Sequence, residues 1–132
     1  MKNLNTYVDE AMNFKLTRNY KKPYNYFPKD RNELLKLYFK LVKERGKEAN
    51  LNDIDTSAIT DMSSLFQGSS FNGDISQWDV SNVKDMHRMF AYSDFTGKNG
   101  DISNWDVSNV EDMRDMFRKC PLNSNKPAWY KE

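Results

Sequence analysis

With 132 residues, 38% hydrophobic and 30% charged, the chain has the composition of a soluble domain. It has no apolar run of the roughly 18 residues that a membrane-spanning helix needs. The formal charge of +1 conceals a split: residues 1–48 hold 12 Lys/Arg against 6 Asp/Glu, and residues 49–132 hold 8 against 13. Met1–Glu10 carries acids where a signal peptide needs an apolar stretch, and Cys120 has no partner for an internal disulfide. A cytoplasmic protein is expected.

In chain order, Leu4, Val8, Ala11 and Met12 share one helical face and predict a short helix over 3–14. Residues 15–29, with Pro23, Pro28, Tyr20, Tyr24, Tyr26 and Phe27, read as loop or extended chain. A stronger helix follows: Asp30 suits the N-cap, Glu33 stands where a capping box places it, and Gly46 suits the C-terminal end. Leu34, Leu37, Tyr38, Leu41 and Val42 form its apolar side, and Lys36, Lys40, Lys43 and Arg45 take the other. Residues 1–48 are thus expected to form a basic N-terminal helical cap on residues 49–132.

From there the chain repeats itself. Asp74–Phe90 returns as Asp101–Phe117, and a looser copy precedes them at Leu51–Phe66. The steps of 24 and then 27 residues are those of repeat architectures, in which each unit buries its apolar side against its neighbours. Ile75, Trp78 and Val80 suggest a short strand, and Val83, Met86, Met89 and Phe90, three and four apart, suggest a helical stretch. Ser81-Asn82 with Asp85, and Ser108 with Glu111, resemble helix starts. The expected fold is an α/β solenoid, a short leucine-rich-repeat-like array of three repeats plus a partial fourth. Leu122-Asn123 and Trp129 mark that fourth unit, which serves as a C-terminal cap.

The motif D-I-S-x-W-D-V-S-N-V-x-D-M-x-x-M-F resembles the BspA-type leucine-rich repeats of bacterial surface proteins and mycoplasma lipoproteins, over roughly residues 50–130. The resemblance implies a leucine-rich-repeat-like solenoid that binds other macromolecules.

Few residues offer chemistry. Met62, Met86, Met89, Met113 and Met116 recur at equal repeat positions and read as packing, as do Trp78, Trp105 and Trp129. Asp79, Asp85, Asp106 and Asp112 sit where turn aspartates cap backbone N–H groups. His87 is the sole histidine, and no P-loop, G-x-G-x-x-G or nucleophile elbow is present. No catalytic residue, metal, cofactor, small-molecule substrate or membrane contact is expected.

A binding surface must then lie where the repeats differ. Those positions are Gln77 and Asn104, Lys84 and Glu111, His87 and Arg114, Arg88 and Asp115, joined by Tyr92, Asp94 and Phe95 from the loop. A second set, Lys15, Arg18, Lys21, Lys22, Tyr24, Tyr26, Lys29 and Arg31, mixes cations with rings as single-stranded nucleic-acid sites do. The leading expectation is a non-catalytic module for a protein partner. The alternative is a small phage-type inhibitor of a host nucleoprotein such as an RNA-guided nuclease, contacting RNA or nucleoprotein through residues 15–31.

Overall fold

Each repeat is a succession of five tight turns, and in repeat 2 all but the Arg88–Ala91 turn begin and end on buried residues. The computed structural model describes the backbone of residues 5–10, 12–13 and 23–132, with side chains from residue 23 onward. In repeat 2 the N–H of Trp78 donates to Ile75 O, Val83 to Val80 O, Met89 to Met86 O, Ala91 to Arg88 O and Ser93 to Phe90 O. Repeats 1 and 3 close the same five turns at the equivalent residues, from Ile54 N to Leu51 O through Cys120 N to Phe117 O. Ile75, Trp78, Val80, Val83, Met86, Met89 and Phe90 are all buried.

This corrects the expected α/β solenoid. Among the described residues the α-helix is α1, Arg31–Arg45, with a 3₁₀ turn at Pro121–Ser124, and the repeats contain neither strand nor α-helix. Neighbouring repeats meet in isolated parallel bridges, Asn50 with Asp74, Asp61 with Asp85 and Asp85 with Asp112. The array is therefore not leucine-rich-repeat-like either. Apolar spacings of three and four, which suggested a helix, are also the spacings of consecutive turn ends. Left-handed backbone excludes the helix: φ is +55° at Ser64, +56° at Arg88 and +55° at Asp115, then +69° at Gly68, +58° at Tyr92 and +55° at Lys119. A helix cannot carry such residues every fourth position. The expected strand fails likewise, because Ile75 and Trp78 are the two ends of one turn.

Aspartates hold the turns open at fixed points. Oδ1 of Asp79, Asp85, Asp106 and Asp112 accepts the N–H two residues on, at 2.9–3.1 Å. Capping was the role expected of them.

Stacking joins the turns into a core. Phe66, Phe90 and Phe117 form a column with centroids 5.4 and 5.6 Å apart and planes within 10°. Each indole N–H reaches back one repeat, from Trp78 to Leu51 O (2.9 Å), Trp105 to Ile75 O (3.3 Å) and Trp129 to Ile102 O (3.0 Å). Asn82 and Asn109 donate to Ser57 O and Ser81 O, both at 2.7 Å. Gly73 is required where it stands, since a Cβ there would strike Ala49 O and the Phe71 ring.

The helix expected from Asp30, Glu33 and Gly46 is α1. Asp30 accepts the Glu33 N–H, while the Glu33 carboxylate reaches back to the Lys29 N–H. Its buried Leu34, Tyr38 and Leu41 share one core with the repeats. Tyr38 sits edge-on to Phe66 at 4.8 Å, and Arg45 holds Asp53 with two bonds of 2.9 and 3.0 Å. The helix expected over 3–14 is not formed in the described part of that segment. Asn5–Glu10 (β1) and Met12–Asn13 (β2) are extended and paired, in keeping with the strand-favouring Thr6-Tyr7-Val8.

Two substitutions test this packing. Phe90→Ala is expected to cost about 3–5 kcal/mol in urea denaturation, as fully buried aromatic truncations do. Gly68→Ala meets no atom within 4 Å, so its expected cost of about 1 kcal/mol comes from left-handed backbone alone. A neutral result at Gly68 would contradict the turn assignment.

Candidate interaction surface

Polar residues between the buried positions point outward. Lys84, Arg88 and Tyr92 of repeat 2 and Glu111, Arg114 and Asp115 of repeat 3 are exposed, and His87 is half-buried. Arg88, Tyr92 and Asp115 occupy left-handed positions, so the backbone itself projects them. In-register bonds place the two repeats side by side: Glu111 N–H donates to Lys84 O at 2.7 Å, and Arg88 N–H to Arg114 O at 3.0 Å. The seven residues therefore share one double ribbon. Gln77 and Asn104 lie elsewhere, on the Ser-x-Trp turns, beside a shallow groove of about 310 Å³ between Trp78 and Trp105. Asp94 is exposed as expected, whereas Phe95 is fully buried against Phe90 and Phe71.

Charges along the ribbon are largely paired. His87 Nδ1 lies 2.8 Å from Asp85 Oδ1. Arg114 grips Asp112 through Nε (3.0 Å) and Nη2 (2.7 Å), and Arg88 and Arg118 each stand 3.9 Å from Asp115. Stacking brings Asp85, His87 and Asp112 together, with ligand-capable atoms within 4.8 Å of one another. Sequence spacing hid this cluster, because Asp112 is 27 residues from Asp85. The signal was the equal repeat position of the two aspartates. Arg114 already holds both Asp112 oxygens, so the arrangement is a surface charge network. The Arg114 guanidinium holds the Asp112 carboxyl down at about 2.

Lys15, Arg18, Lys21 and Lys22 lie outside the described residues. The rest of the basic aromatic set is partly spent on packing. Tyr26 forms a parallel bridge with Ile54, and its carbonyl accepts the Asp55 N–H at 2.8 Å. Arg31 Nε donates to Ser63 O at 2.7 Å. Tyr24 is half-buried with Phe27 edge-on at 6.4 Å, and Lys29 is exposed. The thiol of Cys120 is buried, donates to Phe95 O, and has its pKa raised by that burial. It is not an activated nucleophile. Among the described residues no helix is long and apolar enough to cross a membrane.

Residues 34–131 match the family described as "Mycoplasma protein of unknown function, DUF285". The chain belongs to this family. The match to the family begins inside α1, at its first buried residue, so most of the helix and the repeats fall within one matched region. No curated protein and no solved structure matches the chain.

The paired carboxylates predict acid sensitivity of definite sign. Asp112 has a folded pKa of about 2 against an ordinary 3.8, so the unfolded chain takes up its proton first as acid is added. The stabilisation is complete above the ordinary value and disappears as pH falls through about 2. Thermal melts between about pH 5 and pH 2 are expected to show a decline that is shallower in Arg114→Gln. Equal declines would remove the pair from the acid response.

Proposed function

We propose that this protein is a non-catalytic module that binds a protein partner through the exposed ribbon of turn tips. One observation carries the reading. Between Asp74–Phe90 and Asp101–Phe117 the shared apolar residues are buried or half-buried, and the positions that differ, Gln77/Asn104, Lys84/Glu111, His87/Arg114 and Arg88/Asp115, are exposed, His87 alone being half-buried. Lys84/Glu111 and Arg88/Asp115 change charge between repeats, and Tyr92 presents a ring 49% exposed from a left-handed turn. Tyr and Arg are the residue types on which interface energy concentrates. The resemblance to BspA-type repeats supports a binding role, and a cytoplasmic location is part of the same proposal.

The alternative, a phage-type inhibitor that grips nucleoprotein, draws less support. Tyr26 and Arg31, two of the residues it would use, are engaged with Ile54 and Ser63.

The test is affinity capture with tagged protein from the native cell, with and without nuclease, read by mass spectrometry. Arg88→Gly with Tyr92→Gly is expected to leave the melt unlowered, since glycine accepts both backbone angles freely. The double variant is expected to lose roughly tenfold or more of the captured partner. A partner retained in full by it would exclude the ribbon as the interface. A partner lost only on nuclease treatment would shift the weight to residues 15–31.

A further inference from the structure

Along Met62–Gly68 and Met86–Tyr92 the backbone N–H groups donate forward to the next repeat, whereas Lys84 and Glu111 donate backward, to Thr60 O and Lys84 O. The N–H groups of Met62, Ser64, Phe66 and Gly68 donate to the carbonyls of Asp85, His87, Met89 and Ala91, at 2.9 Å each. Those of Met86, Arg88, Phe90 and Tyr92 donate in turn to Asp112, Arg114, Met116 and Arg118, at 2.7–3.0 Å. Each repeat thus offers four alternate N–H groups to the next. In repeat 3 the four are Met113, Asp115, Phe117 and Lys119, and their N–H groups have no acceptor among the described residues.

The side chains at this end are unfinished in the same way. Val80, Val83 and Met86 are buried beneath repeat 3, whereas their counterparts Val107, Val110 and Met113 are only half-buried. With Trp129 they line an open groove of about 810 Å³. Trp129 and Tyr130 cover the Trp105 and Phe117 side of repeat 3 and leave this side open.

We propose that this end binds a turn ribbon of the D-M-x-x-M-F type carried by a second polypeptide, whose carbonyls accept the four donors and whose apolar turn ends fill the groove. The open face continues an interface already filled twice in the molecule, repeat 1 on repeat 2 and repeat 2 on repeat 3, and the occupant each time is such a ribbon. A second copy of this protein is a poor fit. Its one unfilled row of ribbon carbonyls lies on repeat 1, where α1 sits with Arg31 on Ser63 O and Tyr38 against Phe66. A free anion fits no better, because it would leave the half-buried Val107, Val110 and Met113 uncovered. The inference rests on the proposed protein-binding role and places that partner's contact on a surface separate from the turn tips.

The test uses the full chain and a labelled synthetic peptide of residues 101–120, Cys120 replaced by Ser. Fluorescence anisotropy is expected to show saturable binding that a scrambled peptide lacks. Amide resonances of Met113, Asp115, Phe117 and Lys119 are expected to exchange rapidly with solvent when free and to become protected with peptide. Val110→Asp is expected to weaken binding about tenfold or more by placing a charge in the groove, whereas Arg88→Gly with Tyr92→Gly leaves it unchanged. Absence of saturation, or protection elsewhere than at these four amides, would overturn the proposal even if the Val110 variant unfolds. Concentration-dependent dimerisation in sedimentation velocity would overturn it in favour of self-association. Peptide binding at the groove together with a failed turn-tip test would keep this surface and discard the other.

Discussion

In-register stacking of one repeat on the next is the constraint from which the rest follows. Because Phe66, Phe90 and Phe117 occupy one repeat position, a fixed register makes them a column, and the same register brings each indole N–H to a carbonyl of the previous unit. Neither arrangement survives a slip of one residue, which would exchange buried turn ends for exposed turn middles. The column is closed by an edge-on tyrosine at each end, Tyr38 from α1 and Tyr130 near the C-terminus. Such edge-to-face contacts are worth about 0.5–1.5 kcal/mol beyond area burial. They seal the stack where no further phenylalanine follows.

Much of this was legible in the residues, for physical reasons that can be named. The repeat, its core residues and the Asp caps could be read because burial and turn chemistry both demand particular residue types at fixed spacing. The helix α1 was legible from Asp30, Glu33 and Gly46, although Glu33 bonds one residue earlier than a capping box implies. The secondary structure of the repeats was not. Val83, Met86, Met89 and Phe90 satisfy a helical face and a chain of turns equally well. The feature that decides between them, positive φ at Arg88 and Tyr92, is carried by non-glycine residues, and a glycine marks it in repeat 1 alone, at Gly68. Proximity across repeats was also hidden, since Asp85, His87 and Asp112 meet only once the register is fixed.

Left-handed backbone at ordinary residues costs roughly 1–2 kcal/mol each, and the described residues include five of them. Their retention shows how strongly the stacked core over-determines the turns. It also explains why the exposed ribbon is well defined although it lacks regular secondary structure. A tip whose two neighbours are bonded inward has little freedom of its own, so a partner that docked there would meet a preformed surface and lose little to ordering.

The change of step from 24 to 27 residues has a broader implication. The additional residues near Thr96–Asn99 bulge away from the stack and are tied down by Asn72, whose Oδ1 accepts the Thr96 N–H and whose carbonyl accepts from Asn99. Repeat 3 nevertheless resumes the same bonding pattern as repeat 2. Length and register are thus uncoupled at the return loop, so that corner can lengthen, shorten or carry a grafted segment while the turns on either side keep their places. Evolution and protein engineering are offered the same freedom there, a site of variation insulated from the fold.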